Sequence, residues 1–172
     1  MLRLLFVAAL ISLTAGCATT PNPIASDTRN SIYVKDVNVI WSYADGKELN
    51  DPEYVAGKED MINKLKSAIN KDFKNSPSGM NAAALEVEVV GYNRVGAAMG
   101  NLIGGANTVS ANVVVKKVQD GATIGTYKKV TGMYVSNHGL IGAIVQSATK
   151  PDVVGIMANS FAGELRKNFD AK

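Results

Sequence analysis

Cys17 is the most evident reactive residue in this chain, because it carries the only thiol among 172 residues. It follows an apolar stretch, Leu4 to Leu13, which has Arg3 in front of it and is too short to span a bilayer. Two small residues, Ala15 and Gly16, stand immediately before the thiol, so an extended chain can enter a peptidase cleft there. The pattern predicts an export signal followed by a thiol that takes a lipid through a thioether bond.

The segment Leu13-Thr14-Ala15-Gly16-Cys17 resembles the lipobox of bacterial lipoproteins, with Thr14 where such motifs most often carry leucine. The resemblance implies a signal peptide of residues 1–16, cleavage before Cys17 and acylation with groups such as palmitate. Ala18 is not the aspartate that retains such lipoproteins at the inner membrane, which implies an outer-membrane location facing the periplasm in a cell with two membranes. A signal peptide cleaved elsewhere, or a buried cysteine after an uncleaved anchor, would leave a similar sequence.

Other residues that could support catalysis are few. His138 is the sole histidine, and no Gly-x-Ser-x-Gly motif supplies a nucleophile beside it. Glu86 and Glu88 share one strand face, where paired carboxylates could act as in glycosidases but more simply keep the face wet. Neither phosphate-binding glycine motif occurs in its required context, and the acidic residues show no metal-ligand spacing. We therefore predict a protein that is not an enzyme and has no cofactor and no metal site.

Charge and length restrict the remaining functions. Removal of residues 1–16 from the 172 leaves 156, enough for one domain with a single core. The formal net charge is only +3, and lysines are interleaved with acidic residues, so the charge pattern of a nucleic-acid-binding protein is missing. With Cys17 lipidated, the fold must depend on packing alone, for which a hydrophobic content of 47% is sufficient.

Apolar periodicity divides the chain after the signal into two parts. Residues 17–30 have two prolines, three threonines and no apolar periodicity, which predicts a lipidated N-terminus and a flexible tether. Residues 31–172 are predicted to form one periplasmic domain. Its strands and helices are predicted, in chain order, as a strand at 31–43, a helix at about 52–74, a strand over Leu85–Val89, strands at about 107–118 and 123–134, and a helix opened by Pro151.

The order β-α-β-β-β-α predicts an α+β domain, in which a mixed, mostly antiparallel four-stranded sheet carries both helices on one face. A crossover helix makes the first two strands parallel, and an Asp120-Gly121 turn makes the last two antiparallel. A change of apolar phase near Asp36 indicates a bulge in the first strand. The spatial order of the strands stays open at this point.

Two glycine-rich segments, Gly91 to Ala106 and Gly139 to Ala148, are apolar where a loop should be polar. If the last three strands form a meander, both segments leave the same end of the sheet. Exposed apolar patches usually mark interaction sites, so we predict contact with lipid or a partner; the alternative is that the segments fold back over the sheet end. The side chains predicted to make the contact are Met99, Leu102, Ile103, Leu140, Ile141 and Ile144.

The chain as a whole resembles small uncharacterised lipoproteins of the bacterial envelope. The resemblance depends on Cys17, the Gly104-Gly105-Ala106-Asn107 lead into the third strand, the Asp120-Gly121 turn and the amphipathic last helix. It implies a lipid-anchored domain and supplies no catalytic residue. We expect a non-enzymatic envelope protein, held to the membrane by its lipid, that contacts another envelope component through the glycine-rich loops. The alternative is a periplasmic carrier that holds a small apolar ligand between helices and sheet.

Lipidation can be tested by the intact mass of protein extracted from membranes. We expect the wild-type protein to have the mass of the chain from Cys17 plus acyl groups, and the Cys17→Ser variant to lack those acyl groups, because serine offers no thiol. An unacylated wild-type chain would contradict the lipoprotein interpretation.

Overall fold

A computed structural model of the protein describes residues 22–44, 52–73, 79–94, 105–136 and 151–171. The elements in chain order are α1 (Ser26–Ser31), β1 (Ile32–Trp41), α2 (Pro52–Phe73), β2 (Asn81–Asn93), β3 (Gly105–Lys117), β4 (Thr123–Ser136) and α3 (Val153–Asp170). The predicted elements are confirmed with small changes at their ends. β2 runs from Asn81 to Asn93 and so extends four residues beyond each end of the strand predicted over Leu85–Val89, and α1 was not predicted.

The predicted α+β fold is confirmed. The four strands form one sheet in the order β1-β2-β3-β4, which is also their order in the chain. β1 and β2 are parallel because α2 carries the chain back along the sheet, and the other two pairs are antiparallel. Helices α2 and α3 pack against each other and cover one face of the sheet, α2 over β1 and α3 over β4.

Side chains of the two central strands alternate between the inner and open faces of the sheet as far as a bulge between Val89 and Gly91 of β2. Leu85, Val87 and Val89 of β2 are fully buried and pair with buried residues of β3. Glu86 points to the open face, where its carboxylate lies 2.6 Å from the ammonium of Lys116 on β3. The prediction that the glutamates of β2 keep one face wet is therefore confirmed.

Both edge strands are irregular. The predicted bulge in β1 is confirmed by a shift of register between Val34 and Asp36. In β4, Lys129 has a φ of 52°, and this bulge allows both Tyr127 and Val130 to face the core although they are three positions apart, which would put them on opposite faces of a regular strand. The Lys129 amide, displaced from the strand ladder, donates to Oδ1 of Asn112 at 3.1 Å.

The helices supply the second layer of the core. The predicted apolar stripe of α3 is buried along its whole length, and α2 buries Met61, Leu65, Ile69 and Phe73. Met61 is fully buried, whereas the neighbouring Ile62 is only partly buried. At the ends of the two helices, the rings of Phe73 and Phe169 meet edge to face with centroids 5.3 Å apart.

The start of α3 is set by Asp152 rather than by Pro151. The Asp152 carboxylate accepts a hydrogen bond from the Gly155 amide at 3.0 Å, which caps the helix. The same carboxylate lies 2.6 Å from the ammonium of Lys64 on α2, and this ammonium holds the pKa of Asp152 below its ordinary value. One exposed side chain thus joins the two helices where α3 begins.

The predicted flexible tether of residues 17–30 is wrong from Asn22 onward. Residues 22–31, which we call the N-terminal segment, pack against the domain, and Ile24 is only 2% exposed. The segment ends in α1, which leads directly into β1. Its packing depends on contacts with residues more than 100 positions later in the chain, so no local pattern revealed it.

Gly132 sets the distance between α3 and β4. A Cβ atom there would lie 2.3 Å from the carbonyl oxygen of Met157 and 2.6 Å from Cβ of Phe161, closer than atoms can approach. The helix can therefore lie this close to β4 only because the residue has no side chain.

We expect Gly132→Ala to reduce the free energy of unfolding by roughly 1–3 kcal/mol, because α3 must move away from the sheet. The matched control is Gly163→Ala on α3, where an added Cβ meets nothing within 4 Å and should stabilise by about 0.5–1 kcal/mol through better helix propensity. Urea unfolding followed by the fluorescence of Trp41, the only tryptophan, measures both. Equal effects of the two substitutions would contradict the packing described.

Candidate functional site

The strand directions give the sheet two different ends. The loop end is where β1 ends at Trp41, β2 at Asn93 and β4 at Ser136, and where β3 begins at Gly105. The hairpin end is opposite and holds the β3–β4 turn, the last residues of α2 and α3, and the N-terminal segment. The predicted Asp120-Gly121 turn is confirmed there, with the Asp120 carboxylate accepting from the Ala122 amide at 3.0 Å.

The strands that precede the two glycine-rich segments, β2 and β4, both end at the loop end, and Gly91 to Asn93 of the first segment belong to β2 itself. β2, β3 and β4 form the meander on which this prediction depended, and Gly105 pairs with Ser136 across the β3–β4 ladder. Asn93 pairs with Thr108, and its side-chain amide donates to the Ala106 carbonyl at 3.1 Å. The described strand ends that flank the two segments are therefore neighbours. His138 lies outside the described residues. So do the predicted contact residues, which are Met99, Leu102, Ile103, Leu140, Ile141 and Ile144.

An aromatic cluster occupies the loop end on the β1–β2 side. The ring of Trp41 is edge to face with Tyr92, at 5.3 Å between centroids, and with Tyr43, at 6.4 Å. The indole nitrogen of Trp41 is buried and makes no hydrogen bond within the described part of the chain. The cluster places amphipathic rings, of the type enriched in protein interfaces, beside the point where β2 ends.

Exposed apolar side chains extend from the loop end onto the open face of the sheet. Ile40, Met133 and Val135 are 46%, 47% and 46% exposed, and all three alternate with inward-facing neighbours near the ends of β1 and β4. The middle of the same face is polar, with Glu88 facing Asn112 across the central ladder. The sequence analysis did not predict that these residues would form an exposed apolar surface. The signal that could have identified them is an apolar residue at a strand position whose two neighbours face the core.

The hairpin end is organised around Asn22. Its side-chain Nδ2 lies 2.9 Å from each of three carbonyl oxygens at the end of α3, those of Asn168, Phe169 and Ala171. These carbonyls have no partner within the helix, so Asn22 caps α3 from a distant part of the chain. Its Oδ1 accepts from the Tyr127 hydroxyl at 2.9 Å.

Ile24 and Arg29 hold the rest of the N-terminal segment in place. Ile24 packs directly on Gly125 of β4. A Cβ atom on Gly125 would lie only 2.5 Å from Cγ1 of Ile24, so the absence of a side chain at Gly125 leaves the space that the isoleucine occupies. The Arg29 guanidinium donates to the carbonyl oxygens of Phe169, at 3.1 Å, and Ala171. Polar and apolar contacts together fix the position at which the chain from Cys17 enters the domain.

The described residues contain no group of three or more His, Cys, Asp and Glu side chains that could hold a metal ion. Within the same residues, none of the helices has the length and apolar character needed to cross a membrane.

Comparison with known proteins gave weak structural likenesses. No protein-family model matches the chain, and no curated protein matches it. A Caulobacter crescentus protein provisionally assigned as a lipoprotein aligns at 13% identity over 81% of this chain and 88% of its own, with a TM-score of 0.38. The PelC dodecamer subunit of Paraburkholderia phytofirmans aligns at 14% identity over 83% of this chain and 94% of its own, with a TM-score of 0.30. Lipoprotein GNA1162 of Neisseria meningitidis aligns at 15% identity over 70% of this chain and 98% of its own, with a TM-score of 0.28. These values are too low to transfer a function.

The burial of the Tyr127 hydroxyl predicts a specific dependence of stability on pH. Burial raises the pKa of Tyr127 to about 12 from an ordinary value of 10. Between these pH values the hydroxyl ionises in the unfolded chain but stays protonated in the folded one, so the free energy of unfolding should fall as pH rises from about 10 to 12.

The comparison variant is Tyr127→Phe, which should lose about 0.5–1.5 kcal/mol of stability at neutral pH because the bond to Asn22 is gone. The difference in unfolding free energy between wild type and variant, measured by urea titration at each pH, should shrink above pH 10. A difference that stays constant up to pH 12 would contradict this role of Tyr127.

Proposed function

We propose that this protein is a non-enzymatic lipoprotein of the bacterial cell envelope, which contacts another envelope component through the loop end of its sheet. The observation that carries the proposal is Cys17, the sole cysteine, placed directly after a short apolar segment and two small residues. Lipidation of this residue would hold the domain at a membrane, and Ala18 after it favours the outer membrane with the domain in the periplasm.

The proposed contact function is supported by the apolar and aromatic residues at and beside the loop end. Two apolar glycine-rich segments depart from neighbouring strand ends there, beside the cluster of Trp41, Tyr43 and Tyr92. Exposed Met133 and Val135 continue this apolar character onto β4. Apolar residues concentrated at one end of a domain are typical of a surface that binds another macromolecule.

The packing of the core gives no support to a carrier function. Leu65 and Ile69 of α2 and Phe161 and Leu165 of α3 are all fully buried between the helices and the sheet. Two cavities of about 400 and 420 Å³ lie at the hairpin end, one beside Thr28 and the other beside Asn22 and its neighbours. Both cavities lie outside the interface between the helices and the sheet.

Photo-crosslinking in intact cells tests the proposed contact. A photoreactive amino acid at Met99 or at Leu140 should form a crosslink to the same envelope component from both positions. Asn112, in the polar middle of the open face, is the control position and should give no such product. Crosslinks of equal yield from all three positions, or none from the two loop positions, would contradict a contact through the loop end.

A further inference from the structure

The position of Asn22 limits how far the domain can stand from its membrane. Asn22 is held at the end of α3 by three carbonyl oxygens and by Tyr127, so the chain enters the domain at the hairpin end. Five residue steps separate it from Cys17, and a fully extended chain covers at most about 18 Å in five steps. The headgroup layer occupies about 5–7 Å of this distance. If Cys17 is lipidated, as proposed above, only about the diameter of one helix separates Asn22 from the lipid surface.

The hairpin end carries exposed apolar side chains. Met80, just before β2, is 95% exposed, and Val118, in the turn after β3, is 41% exposed. The two are neighbours, because the Val118 amide donates to the Ala82 carbonyl at 2.9 Å and both residues line the cavity of about 400 Å³ beside Thr28. An almost fully exposed methionine is unfavourable in water and favourable in the interfacial region of a bilayer.

The polar residues around this apolar pair suit a bilayer interface. Lys117 and Gln119 flank Val118, and both line the same cavity. A lysine can extend its ammonium to headgroup phosphates while its stem covers apolar surface. The nearby Asp120 has its carboxylate turned toward the Ala122 amide within the turn.

We propose that the hairpin end rests on the bilayer that holds the lipid anchor, with Met80 and Val118 in the headgroup region. This inference depends on the proposed lipidation of Cys17. β3 has 13 residues, so at about 3.3 Å per residue the hairpin end and the loop end lie roughly 40 Å apart along this strand. The glycine-rich segments would then leave the domain on the side away from the anchoring membrane, where they can reach a partner but not the lipids around the anchor.

Lipid-dependent quenching at introduced cysteines tests the orientation. In the lipidated chain the sulfur of Cys17 is in a thioether, so an introduced cysteine is the only free thiol. Met80→Cys and Val118→Cys are the test variants, and Met133→Cys, an apolar position 47% exposed near the loop end, is the matched control. Each full lipidated chain is labelled with a thiol-reactive fluorophore and reconstituted into phosphatidylethanolamine–phosphatidylglycerol vesicles containing lipids spin-labelled near the headgroup.

We expect quenching at positions 80 and 118 to be at least threefold stronger than at position 133. Equal quenching at all three positions, stronger quenching at position 133, or none at positions 80 and 118 would overturn the orientation. Because all three positions are exposed, the variants should keep the fold, which urea unfolding followed by Trp41 fluorescence verifies.

Intact mass and vesicle flotation of the same samples separate this inference from the proposal on which it depends. A chain that lacks acyl groups and does not float with vesicles overturns both the lipoprotein function and the orientation. A chain that is acylated and floats, but shows no preference for positions 80 and 118, overturns the orientation alone.

Discussion

The apolar interface between the two long helices and the inner face of the sheet is the constraint on which the rest of the structure depends. The sole cysteine precedes the domain, so no disulfide within the domain can supplement this packing. Leu65 on α2, Phe161 on α3 and Val87 on β2 are each fully buried in a single cluster. Close approach is possible because Gly132 removes a side chain between α3 and β4. The interface determines which sheet face is covered and which is left open.

The covered face in turn determines the chemistry of the open one. Side chains alternate along each strand, so every apolar residue that faces the helices sends its neighbours outward. In the middle of the sheet these outward residues are polar, as in the Glu86–Lys116 ion pair. On the two edge strands they become apolar toward the loop end, as at Ile40 and Met133. This gradient along the strands is consistent with a surface that meets solvent in its middle and another molecule at one end.

The N-terminal segment extends the same core rather than forming a separate linker. Ile24 joins the buried cluster at the edge of β4, and Asn22 satisfies carbonyl groups that α3 cannot satisfy itself. The chain before the domain therefore ends at a defined point of the surface. For a protein held by its N-terminus, a fixed entry point limits how the domain can be oriented, whereas a flexible tether of residues 17–30 would have left the orientation open.

Local periodicity in the sequence was sufficient to predict both long helices, the four strands, the bulge near Asp36 and the direction of strand pairing, because each depends on residues within a few positions or on the length of a connection. The lipidation motif around Cys17 is likewise local and stays a prediction. The role of Asn22 could not be predicted, since its partners on α3 lie 146 and 147 positions away. The exposure of Met80 likewise depends on which elements surround it after folding. Contacts between distant residues arise only when the layers pack, and for that reason only the folded structure revealed how the N-terminal segment is held at the hairpin end.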